Sequence, residues 1–219
     1  MGCMRAAILD FDGVILESVG VKTEAFRKLF LFTPDHVDEI VAYHRENAGM
    51  SRFDKFRYIY AHILHRELPD EEFQRLSRTY ADLVVDRVIA SPFVPGAEEF
   101  LERFSPRIPL YVMSATPQDE LRSILVRRGL DGYFRDAYGA PMRKTEGILR
   151  ILAREGLSAP DVLYVGDALN DYHAAREAGI PFAGRILPGD PDRFSGREGI
   201  VAVVQDLDEL GRFLERRVP

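Results

Sequence analysis

The feature that most constrains the fold of this chain is a set of short apolar runs that each end at polar or acidic residues. The runs occupy residues 6–9, 108–113 and 162–165. They have the length of strands rather than helices, and an uninterrupted apolar run is typical of a strand that is buried on both faces. Such strands occur mainly in parallel sheets that helices cover on both sides.

Helical patterns lie between the later runs. Residues 117–128 and 145–155 carry apolar residues at spacings of three and four, and Gly129 and Gly156 follow them, where a left-handed cap is favoured. Two outer strands and a closing helix complete the pattern at residues 182–184, 201–204 and 207–217. The alternation predicts an α/β fold with a Rossmann-like, doubly wound parallel sheet.

Residues 17–92 differ, because they carry long amphipathic stretches and no convincing buried strand. The stretches cover residues 22–30, 34–47, 52–64 and 70–88. Pro69 precedes three acidic residues, which is typical of a helix start. We expect residues 17–92 to form a small helical-bundle cap domain that is inserted into an α/β catalytic core made of residues 1–16 and 93–219.

The residues that follow the apolar runs are expected to share one edge of the sheet, because open α/β sheets bind ligands outside the carboxyl ends of their strands. These residues are Asp10-Phe11-Asp12-Gly13, Ser114-Ala115-Thr116 and Gly166-Asp167. Asp10 and Asp12 face one cleft, since side chains of extended backbone alternate with period two. Together with Asp167 they place three carboxylates at one edge, which repel one another unless a hard cation such as Mg²⁺ lies among them.

Composition narrows the range of partners and compartments. The 219 residues include 29 Lys and Arg against 35 Asp and Glu, and the net charge of −6 argues against a nucleic-acid partner. A single cysteine, Cys3, excludes a disulfide framework and fits a reducing compartment. We find no apolar stretch long enough for a membrane span and no signal peptide, so we expect a cytoplasmic protein without a membrane partner.

Four segments together resemble the motifs of the haloacid dehalogenase-like phosphohydrolase superfamily. The segments are Asp10-Phe11-Asp12-Gly13-Val14, Ser114, Lys144 and Gly166-Asp167 with Asp171. The resemblance covers essentially the whole chain, including a helical cap directly after the first motif, as in the phosphoglycolate phosphatase and β-phosphoglucomutase branches. It is specific for the superfamily and says little about the substrate.

The resemblance implies a covalent phosphatase mechanism. Asp10 would attack phosphorus and form an aspartyl-phosphate. Asp12 would protonate the leaving alcohol and then deprotonate the hydrolytic water, a task that needs a raised pKa. Mg²⁺ would be bound by Asp10, the backbone carbonyl of Asp12 and Asp167.

The resemblance also assigns the phosphate-binding groups. Ser114, the backbone N–H of Ala115 and the Lys144 ammonium would hold the phosphoryl oxygens, although Arg143 is an alternative phosphate ligand. Asp171 would orient Lys144 or a metal-bound water rather than bind the ion.

Three residues of the cap and its linker are candidates for substrate contact, namely Glu17, Lys22 and Arg52. Arg52 follows Ser51, which is expected to cap a helix, and its guanidinium suits a carboxylate or a sugar hydroxyl. A solvated arginine at a helix start is the competing interpretation. Lys55 is a weaker candidate, and Thr116 before Pro117 is expected to cap a helix.

These observations favour a Mg²⁺-dependent phosphatase for a small phosphorylated metabolite, either a sugar phosphate or a phosphoglycolate-like acid. The partner is then a small-molecule phosphate ester, and we expect a monomer or weak dimer. One alternative is a β-phosphoglucomutase-like phosphomutase, in which the cap would exclude water. Another is a non-catalytic homologue that binds a partner.

Overall fold

The computed structural model describes residues 3–218. These residues contain a six-stranded sheet with the strand order β3-β2-β1-β4-β5-β6. The strands are β1 (Ala6–Leu9), β2 (Leu110–Pro117), β3 (Asp136–Ala140), β4 (Val162–Gly166), β5 (Phe182–Arg185) and β6 (Ile200–Val204). Every pair is parallel, and β1 lies between β2 and β4. The predicted α/β fold with a parallel sheet is therefore confirmed.

Helices cover both faces of the sheet and fill the segment between β1 and β2. They are α1 (Val19–Leu29), α2 (Val37–Glu46), α3 (Arg52–Tyr58), α4 (Asp70–Ile89), α5 (Ala97–Phe104), α6 (Gln118–Arg127), α7 (Lys144–Glu155), α8 (Leu169–Ala178) and α9 (Leu207–Glu215). A π-helical turn, Ile59–Ile63, continues α3. The Ser51 hydroxyl accepts a hydrogen bond from the backbone N–H of Asp54 at 3.2 Å, so Ser51 caps α3 as expected.

The helices α1 to α4, termed the inserted helices below, pack around an aromatic cluster. The ring of Phe26 lies 5.7 Å from that of Phe56 and 5.0 Å from that of Tyr80. Leu16 and Phe93 form an isolated bridge where the chain leaves the sheet and returns to it. This bridge supports our proposal that residues 17–92 are a separate cap, whereas residues 1, 2 and 219 of the proposed core lie outside the described residues.

Two features around β2 differ from expectation. The strand runs to Pro117, so Thr116 belongs to the strand and does not cap α6. The neighbouring strand β3 was not predicted, because Asp136–Ala140 is short and begins with a charge. A Cβ on Gly139 would lie 2.5 Å from the backbone oxygen of Thr116, so this glycine permits the close approach of the two strands.

Among residues 3–218, no helix combines the length and the apolar character needed to cross a membrane.

Candidate active site

Asp10, Asp12 and Asp167 follow the carboxyl ends of β1 and β4, which are adjacent in the sheet. Gly13 allows the two segments to approach. It has a φ of +77°, and a Cβ at this position would lie 2.5 Å from Oδ2 of Asp167. A side chain at Gly13 would therefore displace the Asp167 carboxylate.

Three buried carboxylates meet at this edge. Asp10, Asp167 and Asp171 each offer an oxygen, and the three oxygens lie within 4.8 Å of one another. Asp171 belongs to α8, and its approach to the end of β4 depends on Gly166, where a Cβ would lie 2.4 Å from the Cβ of Asp171. Small residues at the two strand ends thus make room for the cluster.

Lys144, the first residue of α7, supplies the positive charge that the cluster needs. Its Nζ donates to Oδ2 of Asp10 at 3.2 Å and also to Oδ1 of Asp171. Asp171 accepts two further hydrogen bonds, from the Tyr164 hydroxyl at 3.0 Å and from the Ala168 backbone N–H at 3.1 Å. Both oxygens of Asp171 are therefore held by protein donors, which suits a residue that orients Lys144.

Burial and mutual repulsion shift the protonation of the cluster. The pKa of Asp10 is raised to about 7, because burial, with repulsion from Asp171 and Asp12, outweighs the attraction of Lys144. Burial also raises the pKa of Asp167 well above its ordinary value, with repulsion from Asp10 and Asp171. The pKa of Lys144 rises, because attraction by Asp10 and Asp171 outweighs the effect of burial. Such crowding of carboxylates marks functional sites.

The arrangement fits a hard divalent cation. Among the described residues, none donates a hydrogen bond to the Asp167 carboxylate, although this side chain is buried. Within the described part of the chain, Oδ1 of Asp10 accepts a hydrogen bond only from the adjacent Phe11 N–H, at 2.8 Å. Two carboxylates with free acceptor capacity and raised pKa values are suitable ligands for Mg²⁺.

Asp12 lies in a different environment from Asp10. Its Oδ1 accepts a hydrogen bond from Ser18 at 2.7 Å, and its Oδ2 receives the Lys22 ammonium. Ser114 and Thr116 donate to Oδ2 at 3.4 and 3.3 Å.

This environment reverses the expected pKa shift. Burial acts to raise the pKa of Asp12, but the Lys22 ammonium, with hydrogen bonds from Lys22 and Ser18, outweighs burial and lowers it. The expectation of a raised pKa at Asp12 is therefore wrong for this state, because the sequence did not reveal the contact with Lys22.

The candidate phosphate ligands lie around the loop that joins α2 to α3 and contains Gly49 and Met50. Ala115 lines a cavity of about 80 Å³ between these helices and the sheet, together with Asp10, Asp12 and Asp167. A neighbouring cleft of about 760 Å³ is lined by Ser114, Arg143 and Lys144, and also by Ala115. Gly49 and Met50 of the loop border both spaces.

Gly49 brings this loop close to Lys144. Its φ is +78°, and a Cβ there would lie 3.3 Å from Nζ of Lys144 and 3.2 Å from the Cβ of Asn170. The loop thus covers Lys144, and a larger residue at position 49 would press against it.

The three substrate candidates of the cap and linker all have protein partners. Lys22 bridges Asp12 and the Thr116 hydroxyl, the latter at 2.7 Å. Arg52 is buried and forms an ion pair with Glu120 of α6. Both Lys22 and Arg52 line the cavity.

Glu17 does not line the cavity, and its carboxylate forms an ion pair with Arg185. The guanidinium of Arg185, which is 1% exposed, also donates to the Gly13 carbonyl at 2.8 Å and to the Gln205 carbonyl at 2.9 Å. Sequence reasoning missed Arg185. An arginine in the apolar segment before Ile186 was the available signal.

Comparisons with known proteins agree with this geometry. A family model described as haloacid dehalogenase-like hydrolase matches residues 4–179. A phosphoglycolate phosphatase from Synechococcus elongatus is 28% identical over 207 residues, which cover 93% of this chain and 91% of that protein.

Solved structures share the fold. A hydrolase from Pseudomonas syringae has a TM-score of 0.78 at 21% identity and covers 97% of this chain and 99% of its own. A haloacid dehalogenase-like hydrolase structure from Bacillus subtilis, bound to magnesium, has a TM-score of 0.71 at 18% identity. The match covers 97% of this chain and 99% of that protein.

Proposed function

Because the chain belongs to the haloacid dehalogenase-like hydrolase family, we propose that it is a Mg²⁺-dependent phosphatase that hydrolyses a small phosphoric monoester through phosphorylated Asp10. The observation that carries this proposal is the contact of Lys144 with Asp10 beside the buried Asp167. The similarity to the Synechococcus phosphoglycolate phosphatase, over nearly the full length of both chains, supports a phosphoglycolate-like substrate.

Asp10 acts as the nucleophile. One of its carboxylate oxygens attacks phosphorus in line, and the bond from phosphorus to the alcohol oxygen breaks. Lys144, Ser114 and the Ala115 N–H stabilise the negative charge on the transferring group. Asp10 and Asp167 would hold Mg²⁺ with the Asp12 carbonyl, and the ion would reduce repulsion between the nucleophile and the phosphoryl group.

Asp12 moves the protons. It gives one to the departing alcohol oxygen and takes one from the water that later attacks phosphorus, which releases phosphate and regenerates Asp10. Lys22 must release Asp12 for the first transfer, since the ion pair favours the carboxylate form. An incoming phosphoryl group offers Lys22 another anion, so substrate binding and the activation of Asp12 are coupled.

A panel of phosphate monoesters with Mg²⁺ tests this proposal. We expect release of inorganic phosphate without a bisphosphate activator, and the highest kcat/KM for a short acidic ester. Asp10→Asn should lower kcat by roughly 10⁴-fold or more while the far-UV circular dichroism spectrum is unchanged. Turnover only in the presence of a bisphosphate would favour the phosphomutase, and unaltered turnover in Asp10→Asn would refute the proposal.

A cytoplasmic location and a monomeric or weakly dimeric state remain predictions from the sequence.

A further inference from the structure

Three cations of the inserted helices line the cavity next to Asp10, namely Lys22, Arg52 and Lys55. Two of them already have carboxylate partners, since Lys22 contacts Asp12 and Arg52 contacts Glu120. Lys55 differs. Its side chain is 3% exposed, and among residues 3–218 no carboxylate lies within ion-pair distance of its ammonium.

The contacts of Lys55 with the protein use two of its three N–H groups and leave the third free for a ligand in the cavity. Nζ lies 3.1 Å from Nδ1 of His44 and 3.1 Å from the His44 carbonyl oxygen, and the Phe26 ring is 5.5 Å away. Burial, with the neighbouring Lys55 and Lys22, lowers the pKa of His44 to about 2, so the imidazole is neutral and Nδ1 accepts. An ammonium has three N–H groups, and His44 uses two of them.

A buried ammonium without a counter-ion is unfavourable, and lysine is seldom buried unless it is paired. Burial, together with the charges of Lys22 and Lys144, lowers the pKa of Lys55 to about 7. An anion in the cavity would offset this cost. No residue within 3–218 supplies such an anion at Lys55, so a ligand is the natural source.

The size of the cavity limits that ligand. The cavity of about 80 Å³, which both Asp10 and Lys55 line, is small beside the roughly 300–1,000 Å³ of typical ligand pockets. A short phosphomonoester therefore suits it better than a large one. The single available N–H of Lys55 suits one carboxylate oxygen better than a second phosphoryl group, which several donors normally bind.

We propose that Lys55 is a specificity-determining residue that binds the carboxylate of a short phosphomonoester, one whose alcohol portion carries that carboxylate, while the phosphoryl group lies against Asp10. His44 is the positioning residue that holds the ammonium in place. The inference rests on the proposed function, because it places the phosphoryl group of the substrate at Asp10.

Ligand binding to a variant that cannot hydrolyse the ester separates the contribution of Lys55 to affinity from its effect on the reaction. In an Asp10→Asn background, calorimetry gives the Kd of phosphoglycolate and of 2-hydroxyethyl phosphate, which carries an uncharged hydroxymethyl group in place of the carboxylate. We expect phosphoglycolate to bind more tightly by roughly 10- to 150-fold, the range for a hydrogen bond to a charged group. Adding Lys55→Met should reduce this ratio to near one.

Lys28→Met is the matched control, because Lys28 is also a lysine of the inserted helices but its side chain is half exposed. It should leave the ratio unchanged. Lys55→Gln replaces the methionine variant if that protein does not fold. The ratio of the two Kd values in the Asp10→Asn protein, with Lys55 intact, tests by itself whether the cavity prefers the carboxylate.

Two results would overturn the inference: equal affinity for the two esters in the Asp10→Asn protein, or a ratio that persists after Lys55 is replaced. Failure of the proposed function has a different signature, since the protein with Asp10 intact would then hydrolyse neither ester while the binding ratio still depended on Lys55.

Discussion

The Lys144 ammonium lies 3.2 Å from Oδ2 of Asp10 and also contacts Asp171, so one cation links the proposed nucleophile to the first turn of α8. The three carboxylates of the cluster have no other cation within hydrogen-bond distance among the described residues. The charge balance of the site therefore depends on Lys144, and on a divalent ion when one is bound.

Lys144→Met should lower kcat/KM by roughly 10²- to 10³-fold, because it removes a donor to the transferring phosphoryl group. The metal-free variant should also melt at a lower temperature, since it leaves the buried carboxylates without a counter-ion. Steady-state kinetics and thermal melts check both effects, with Lys28→Met as the control. A loss of less than tenfold would exclude Lys144 from the phosphate site.

Mg²⁺ should stabilise the protein more at about pH 8 than at about pH 5. The pKa of Asp10 is about 7 in the folded protein and near 4 when unfolded, so the folded form holds an extra proton between these values. Its contribution to the free energy of unfolding therefore falls as pH rises through this window. Mg²⁺ binds the deprotonated carboxylate. Melting temperatures with and without Mg²⁺ test this, and equal shifts at both pH values would contradict it.

Gly49→Ala should reduce kcat/KM by about tenfold or more, because the new methyl group would press on Lys144 and displace it. Gly129→Ala is the matched control: Gly129 also has a positive φ, of +67°, but a Cβ there would meet nothing within 4 Å. Both variants should lose similar stability from backbone strain. Equal activity in the two variants would show that the loop does not control the site.

Lys55→Met should raise the melting temperature of the ligand-free protein near pH 7. The pKa of Lys55 is about 7 when folded and near 10.5 when unfolded, so the unfolded chain binds more protons between these values. The contribution of Lys55 to stability therefore grows as pH rises across that window. The advantage of Lys55→Met, about 1 kcal/mol or more near pH 7, should shrink towards pH 10. A destabilised Lys55→Met protein at both pH values would contradict this argument, and Lys28→Met serves as the reference.

The framework of the site follows from the sequence, because local patterns determine it. β1 has the predicted bounds, and Asp10 and Asp167 reach one edge since adjacent parallel strands end there. Lys144 could be assigned from its motif, although its position at the start of α7 alone would fit a solvated lysine.

The ion pairs that determine the charge around the site could not be predicted in the same way. Arg185 and Glu17 are 168 positions apart, and Arg52 and Glu120 are 68 apart. Nothing in a local pattern indicates which of several charged side chains will pair across the fold. These pairings decide which cations remain for a ligand, and they are why Lys55 stands out only in the structure.

The most direct test of the central claim is a rapid-quench experiment with a ³²P-labelled monoester and Mg²⁺. Our account predicts that acid quenching traps the label on the peptide that contains Asp10, and that the labelled protein forms and decays fast enough to account for turnover. Asp10→Asn should trap none. Full-rate hydrolysis without labelled protein, or label on a peptide that lacks Asp10, would contradict the account.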